Sequence, residues 1–506
     1  MVGKMMILSA DIGSTNVKAA LFDTEEWRIV SQDTVSYPTY YPRPGWAEQD
    51  PEDWWGAFIK VVKNVLNNAK VYRVDAIALS SQREGVVLVD RKGRVLGRCI
   101  IWMDRRSEEE ASMIENKLGS RNVYEKTGLR IDATFTATKL LWIKRNQPEI
   151  YEKATYVLQP KDYIVYRLTG RYITDYTLAS RTLLFDINRR EWIDEFFEEL
   201  ELKNIFPDVK WSWEIVGEIL PEIAEKLGFE NRPLVVAGSG DRAAESIGAG
   251  SVEEGIVIES TGTTTNVNTL TNYPRKDPKM RSLVGVHVEK GFWLTELGLS
   301  MGASLFKWFA ENYAVDLVVT AKLYRGNPYE LLSEVASRVP PGAEGIILLP
   351  FFMGARAPWW KKGVRGALIG LTLGHTREHM VRALLESIAY DIRTAVEVLK
   401  ELGIRIKEVR SIGGASHNVV WLRIKADVLK TPIAVPKVEN AAILGDIGLA
   451  LKGLGVANSV RDVSKRLEIS FRVFPLKENS ELYEKYYRKY IRLVKKFLEV
   501  HESDEE

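Results

Sequence analysis

Short apolar runs set off by polar turns alternate along this chain with longer stretches in which apolar residues recur every three or four positions. Strands are predicted at about residues 5–10 and 17–23, then a loop rich in Pro and Tyr from Tyr37 to Pro44. Pro51 directly after Asp50 reads as a helix start with Asp50 as its cap, and Trp54, Phe58, Val61, Val62 and Val65 follow at helical spacing. Ala76 to Ser81 reads as a buried strand ending in a polar turn, and Val86 to Val89 as a strand leading into a hairpin turn. A second round of strands starts near Gly250, and Thr376 caps a later helix with Val381, Leu384, Leu385, Ile388, Ile392 and Val396 on one face. Strands and helices in this mixed order predict an α/β layered fold. A chain of 506 residues is too long for one ordinary core. Gly-rich Ile247-Gly248-Ala249-Gly250 is the expected boundary, giving domains over 1–247 and 248–495 and an acidic tail over 496–506.

Two of the predicted hairpins share one design. Ile7-Leu8-Ser9-Ala10-Asp11-Ile12-Gly13-Ser14-Thr15-Asn16-Val17-Lys18 and Ile256-Val257-Ile258-Glu259-Ser260-Thr261-Gly262-Thr263-Thr264-Thr265-Asn266-Val267 each run apolar strand, Gly turn with hydroxyls, second strand. Glycine lets backbone approach a phosphate closely, and successive amides in such a turn form a concavity for anions. One turn of this composition is a weak signal. Two, about 250 residues apart, can hold a nucleotide's phosphates from both sides of a cleft.

Composition narrows the partners. A formal net charge of +2 gives no footprint for nucleic acid or an anionic membrane. The apolar start, Met5-Met6-Ile7-Leu8, is too short for a signal peptide, and no run reaches the ~20 apolar residues that span a bilayer. The single cysteine, Cys99, fits a reducing cytoplasm. Five Gln against abundant Glu, Lys and Arg lean towards a thermophile.

Asp241 is the strongest catalytic candidate. The apolar strand Val235-Val236-Ala237 delivers Gly238-Ser239-Gly240, then this lone carboxylate at an expected helix N-terminus. It either caps that helix or serves as base for a hydroxyl nucleophile. Asp11 could hold Mg²⁺ through water, and Lys18 could neutralise phosphate charge. Gln82-Arg83-Glu84 follows a strand end, where a guanidinium donates to hydroxyls and a carboxylate accepts from them. Asp104, in Trp102-Met103-Asp104-Arg105-Arg106, belongs to a second such cluster. Asp175 is either a third contributor or a turn residue. Gly413-Gly414, between a strand and a helix start, suits close approach to a flat nucleoside, and Gly445-Asp446-Ile447-Gly448 is expected to pack behind it.

Together these segments resemble the FGGY family of carbohydrate kinases, of the actin-like ATPase superfamily. The resemblance runs through Asp11 to Lys18, Gly45-Trp46-Ala47-Glu48-Gln49-Asp50-Pro51, Thr136 to Trp142, Lys161-Asp162-Tyr163, Arg167 to Gly170, Ala179 to Asp186, Gly366 to Leu371 and Ala383-Leu384-Leu385-Glu386. It implies two actin-like (ribonuclease H-like) domains around a cleft, in which a small sugar or polyol is phosphorylated with ATP and Mg²⁺; a homodimer is one assembly the sequence leaves open. By the same resemblance Asp241 is the general base. Asp11 and Asp241 hold the metal. Ser14, Thr15, Asn16, Lys18, Gly262, Thr263, Gly413, Gly414, Ala415 and Asn418 contact ATP. Gln82, Arg83, Glu84, Asp104, Thr134, Asp241 and Arg242 hold the acceptor. Gln82-Arg83-Glu84 is similar to glycerol kinases, which nevertheless carry Tyr at the position of Thr134 and Gln at that of Arg242. A pentulose such as xylulose, a glycerol-like polyol and a linear polyhydroxy ketone all remain open. The competing reading is a non-catalytic actin-like nucleotide-binding scaffold or sensor.

Overall fold

The computed structural model describes residues 4–502. Two seven-stranded sheets dominate it. In the first, β1 (Met6–Ile12), β2 (Asn16–Asp23) and β3 (Arg28–Ser36) run antiparallel in succession. On the other side of β1, β4 (Ala76–Ser81) and β5 (Leu234–Val236) lie parallel to it. The second sheet repeats the plan. β6 (Ile256–Thr261), β7 (Thr265–Thr271) and β8 (Trp293–Gly298) are antiparallel neighbours. β9 (Glu408–Ile412) and β10 (Ile433–Pro436) then follow β6 in parallel. Both halves are thus the same antiparallel-then-parallel sheet, the actin-like, ribonuclease H-like arrangement.

The helices form where patterning and caps place them. α1 (Pro51–Ala69) starts at its proline, and the Asp50 carboxylate accepts from the Glu52 amide at 2.9 Å. Trp54, Phe58, Val61, Val62 and Val65 are all fully buried against the first sheet. Thr376 and His379 form a reciprocal cap for the long helix α3 (Arg377–Glu401), which follows α2 (Asp241–Gly248) in this numbering.

The two halves are joined by a close helix crossing. α2 lies across α5 (Ala441–Gly453), which follows α4 (Val419–Leu429). A Cβ on Gly248 would sit 1.7 Å from the Ala441 carbonyl oxygen, and one on Gly445 2.0 Å from that of Ala244. The helices therefore touch backbone to backbone, which only glycine permits here. α5 also packs on β1 and β4, where Ser9 and Ser80 hydroxyls each donate to Asp446 at 3.0 Å. So Gly445 serves this crossing, while a Cβ on Gly448 would meet the Val460 carbonyl oxygen at 2.7 Å; the nearest neighbours of both glycines lie away from Gly413-Gly414, since small residues in a helix interior reflect a close neighbour and not a turn. The final helix, α6 (Lys477–Glu502), continues through residues 496–502, which were expected to belong to the tail. Ser503 to Glu506 lie outside the described residues. No helix among the described residues is long and apolar enough to cross a membrane.

Candidate active site

Each Gly turn is closed by its glycine amide, across three residues at Gly13 and two at Gly262. Gly13 N–H donates to the Asn16 carbonyl at 3.0 Å, and Gly262 N–H to that of Thr264 at 3.0 Å. In each case the next two amides, of Ser14 and Thr15 and of Thr263 and Thr264, have no acceptor among the described residues. Paired free amides in a tight turn make an anion site. Lys18 lies directly across from Asp11 in the β1–β2 register and is exposed. Gly413 presses on the second turn from behind: at φ +81°, a Cβ there would meet the Thr261 carbonyl oxygen at 2.8 Å. Gly414 faces open space, as a flat ligand would need.

Asp241 is the first residue of α2, with Gly240 in the cap position. Its Oδ1 accepts from the Arg242 amide at 2.7 Å and lies 3.3 Å from Arg83 Nε. Its Oδ2 has no partner among the described residues, and 30% of the side chain remains accessible. Asp241 therefore is not the cap of α2, and its contacts occupy one oxygen and leave the other available. Burial raises the pKa of Asp241 against the opposing pull of Arg242 and Arg83. Asp11, at the end of β1, is pushed up to about 7 by burial and by Asp241, with Lys18 opposing and Glu245 adding to the rise. Carboxylates gathered here resist ionising together, and a hard cation would relieve them. No group of three or more His, Cys, Asp or Glu among the described residues forms a metal cage. One or two carboxylates beside a phosphate site suit Mg²⁺, which takes most of its ligands from water and phosphate.

Next to Asp241 is a network of buried charges. Arg83 Nη1 donates to both oxygens of Glu296 at 3.2 and 3.3 Å. Arg181 donates to Glu84 at 2.6 Å and to Glu296 at 2.5 Å. Arg83 and Arg181 come from the first half and Glu296 from β8 of the second, so the network spans the cleft. Burial works against ionised Glu296, yet Arg181 and Arg83 hold its pKa down at about 2. Glu84 sits at φ +66°, a strained conformation for a residue with a side chain. Lys139 holds that backbone: its Nζ donates to the carbonyls of Glu84 at 2.8 Å and Thr134 at 2.7 Å. Gln49 links the Gly13 turn to this region, donating to the Ser14 carbonyl and accepting from Gln82 Nε2, each at 2.7 Å. The buried Gln82 Oε1 has no partner among the described residues.

The expected residues do not all converge. Asp104 is fully buried and saturated, accepting from the Ala47 amide at 2.6 Å and from the Arg106 backbone and guanidinium. It braces the Gly45-Trp46-Ala47 loop and offers an acceptor nothing, a correction to its placement among the substrate contacts. Asn418 caps α4 by accepting from Trp421 N and donates one amide hydrogen to Ser333, which leaves one donor and one lone pair of its amide unused. Arg242 pairs with Glu245 at 2.6 Å and reaches Ser260, near the end of β6, at 3.3 Å. Thr134 binds Asp132 at 2.6 Å at the rim, where Lys362 of the second half lies 3.5 Å from Asp132. Asp175 caps a short helix and pairs with Lys161. Glu296, Arg181, Gln49 and Lys139 are additions. The last three lie inside segments that carry the family resemblance, and Glu296 shows only as a charge within an apolar strand.

Comparison with known proteins follows the same geometry. The N-terminal domain of the FGGY family of carbohydrate kinases matches residues 6–248, and its C-terminal domain residues 258–454. The chain is 30% identical over 482 residues to a gluconokinase of Bacillus subtilis, covering 94% of this chain and 93% of that protein. It is 33% identical over 501 residues to a glycerol kinase of Thermococcus onnurineus, covering 97% of each. A ligand-bound xylulose kinase structure from Lactobacillus acidophilus superposes with a TM-score of 0.90 at 24% identity, covering 97% of both chains, a likeness of fold.

Proposed function

The chain belongs to the FGGY family of carbohydrate kinases, phosphotransferases with an alcohol group as acceptor, and we propose that it transfers the γ-phosphoryl group of ATP to a hydroxyl of a small sugar or polyol, with Asp241 as general base. Relatives named for gluconate, xylulose and glycerol leave the acceptor to be decided by this site. The observation that carries the reading is the free Oδ2 of Asp241, at the head of α2 between two phosphate turns and a polar network suited to hydroxyls.

Asp241 Oδ2 takes the proton of the acceptor hydroxyl as that oxygen bonds to the γ-phosphorus. The bond from the γ-phosphorus to the β,γ-bridging oxygen breaks, and ADP leaves. The free amides of Ser14, Thr15, Thr263 and Thr264, with Lys18, hold the phosphates in line. Gly413, Gly414 and Ala415 form the wall for adenosine. Asp11 and Asp241 would hold Mg²⁺, which supplies neutralisation of phosphate charge. Arg83, Glu84 and Gln82 orient the acceptor, and the cross-cleft network excludes water that would otherwise hydrolyse ATP.

Asp241→Asn tests the assignment. Turnover is expected to fall by ~10²–10⁴-fold, the usual contribution of a positioned base, while ADP binding and melting temperature stay near those of the wild type. An unchanged turnover would reject Asp241 as base.

A further inference from the structure

Most guanidiniums around the acceptor network have carboxylate partners. Arg83 lies on Asp241 and Glu296, Arg181 on Glu84 and Glu296, and Arg105 on Asp132 at 2.6 Å. Arg356 differs: among the described residues, no hydrogen bond or ion pair engages its guanidinium. Its backbone is firmly held. The amide donates to Ser300 Oγ at 2.7 Å, and the carbonyl accepts from the Trp359 and Trp360 amides at 2.9 Å. The side chain passes over Gly298, where a Cβ would lie 3.3 Å from Nη2. Gly298 stands two residues after Glu296 on β8, so both face the same side of the sheet. Burial lowers the pKa of Arg356 and Arg181 adds to that, while Asp132, Glu84 and Glu296 oppose it from a distance without touching it. Arg356 is half-buried, so its guanidinium stays accessible while it has no protein partner among the described residues, and a ligand anion would complete it.

We infer that Arg356 receives a carboxylate of the acceptor, so that the substrate is a sugar acid of the aldonate class with its reacting hydroxyl towards Asp241. This rests on the kinase reading above and adds the acceptor's far end to it. Asp241, Arg83, Glu296 and Arg356 follow one another across the site, linked by Arg83's contacts of 3.3 Å to Asp241 and 3.2 Å to Glu296. A linear polyhydroxy acid has the matching form, with a hydroxyl at one end, an anion at the other, and donors and acceptors between. The neighbouring carboxylates are already engaged by other arginines, so the Arg356 fork is free for a planar anion. Arg356 belongs to the second half of the chain and Arg83 and Glu84 to the first. An aldonate would therefore bind both walls of the cleft and favour its closure.

The test uses the full-length protein with ATP and Mg²⁺. Gluconate, galactonate and xylonate are each assayed beside the neutral alditol of the same carbon skeleton, with xylulose and glycerol alongside. The wild type is expected to favour at least one aldonate over its alditol by ~100-fold in kcat/KM, as expected for a charge-assisted bidentate contact. Arg356→Met should lose ~10–100-fold on that aldonate, chiefly through KM, and change little on the alditol. Arg356→Lys, which keeps the charge, should retain part of the preference, and melting temperatures monitor folding. Calorimetric binding of the aldonate in the presence of ADP should weaken in parallel. Turnover of xylulose, glycerol or alditols without an aldonate preference overturns this inference and leaves the kinase reading intact. Equal losses on charged and neutral acceptors in Arg356→Met also overturn it. Absence of any phosphorylated product from every acceptor overturns both.

Discussion

Replacing Glu296 by Gln removes one charge from the cross-cleft network while keeping shape and an amide acceptor. In the wild type Glu296 is 2% exposed and accepts from Arg83 at 3.2 and 3.3 Å and from Arg181 at 2.5 Å. Holding its pKa from the ordinary 4.5 down to about 2 corresponds to a preference of about 3 kcal/mol for the charged form in the folded state. Removing one member of a buried ion network costs a comparable ~3–5 kcal/mol, because the remaining charges are left exposed to a low dielectric. Glu296→Gln should therefore be less stable by ~3 kcal/mol at neutral pH. Since the folded-state pKa lies below the unfolded one, the wild-type contribution is complete above pH 4.5 and is lost as pH falls towards about 2. The stability gap between wild type and variant should thus narrow steadily below pH 4.5. Urea unfolding of both proteins from pH 7 to pH 3, followed by fluorescence, reads that gap directly. A gap that stays constant over this range, or is absent at pH 7, refutes the charge argument.

Gly445→Ala should destabilise the protein by several kcal/mol or prevent folding, because its Cβ would fall 2.0 Å from the Ala244 carbonyl oxygen; thermal melting beside Gly414→Ala, where the Cβ meets nothing within 4 Å, gives the comparison. Lys139→Met should raise the acceptor KM ~10-fold or more and leave the ATP KM near wild type, since Nζ holds the Glu84 and Thr134 carbonyls and not the phosphate turns; equal changes in both would contradict that role. The acid limb of the kcat/KM profile should lie above the ordinary carboxylate value of 3.8, because burial raises Asp241 and only its ionised form accepts a proton, so activity falls as pH drops through that pKa.

Much of this architecture is legible from local pattern. The hairpin at Gly13, the Asp50 cap of α1 and the position of Asp241 at the head of a helix each follow from a few adjacent residues. The cross-cleft network of Arg83, Arg181, Glu84 and Glu296 does not. Glu296 lies in a buried strand more than 200 residues from Arg83, and nothing beside it in the chain indicates that its partners are arginines of the other half. Asp104 and Glu84 look alike in sequence, each a carboxylate next to Arg. One is saturated by Arg106 and Ala47, and the other is strained at φ +66° beside the site. Gly445 and Gly448 are spaced like turn glycines, yet they lie within α5, and Gly445 serves its crossing with α2. Long-range contacts decide such cases, so residue type and spacing alone assign them wrongly.

The central claim is phosphoryl transfer to an acceptor hydroxyl, and phosphorus NMR of the protein with ATP, Mg²⁺ and the acceptor panel reads it most directly. The account predicts a new phosphomonoester resonance growing in step with ADP, abolished by Asp241→Asn. Release of inorganic phosphate alone, or no change in the ATP signals with any acceptor, would contradict it.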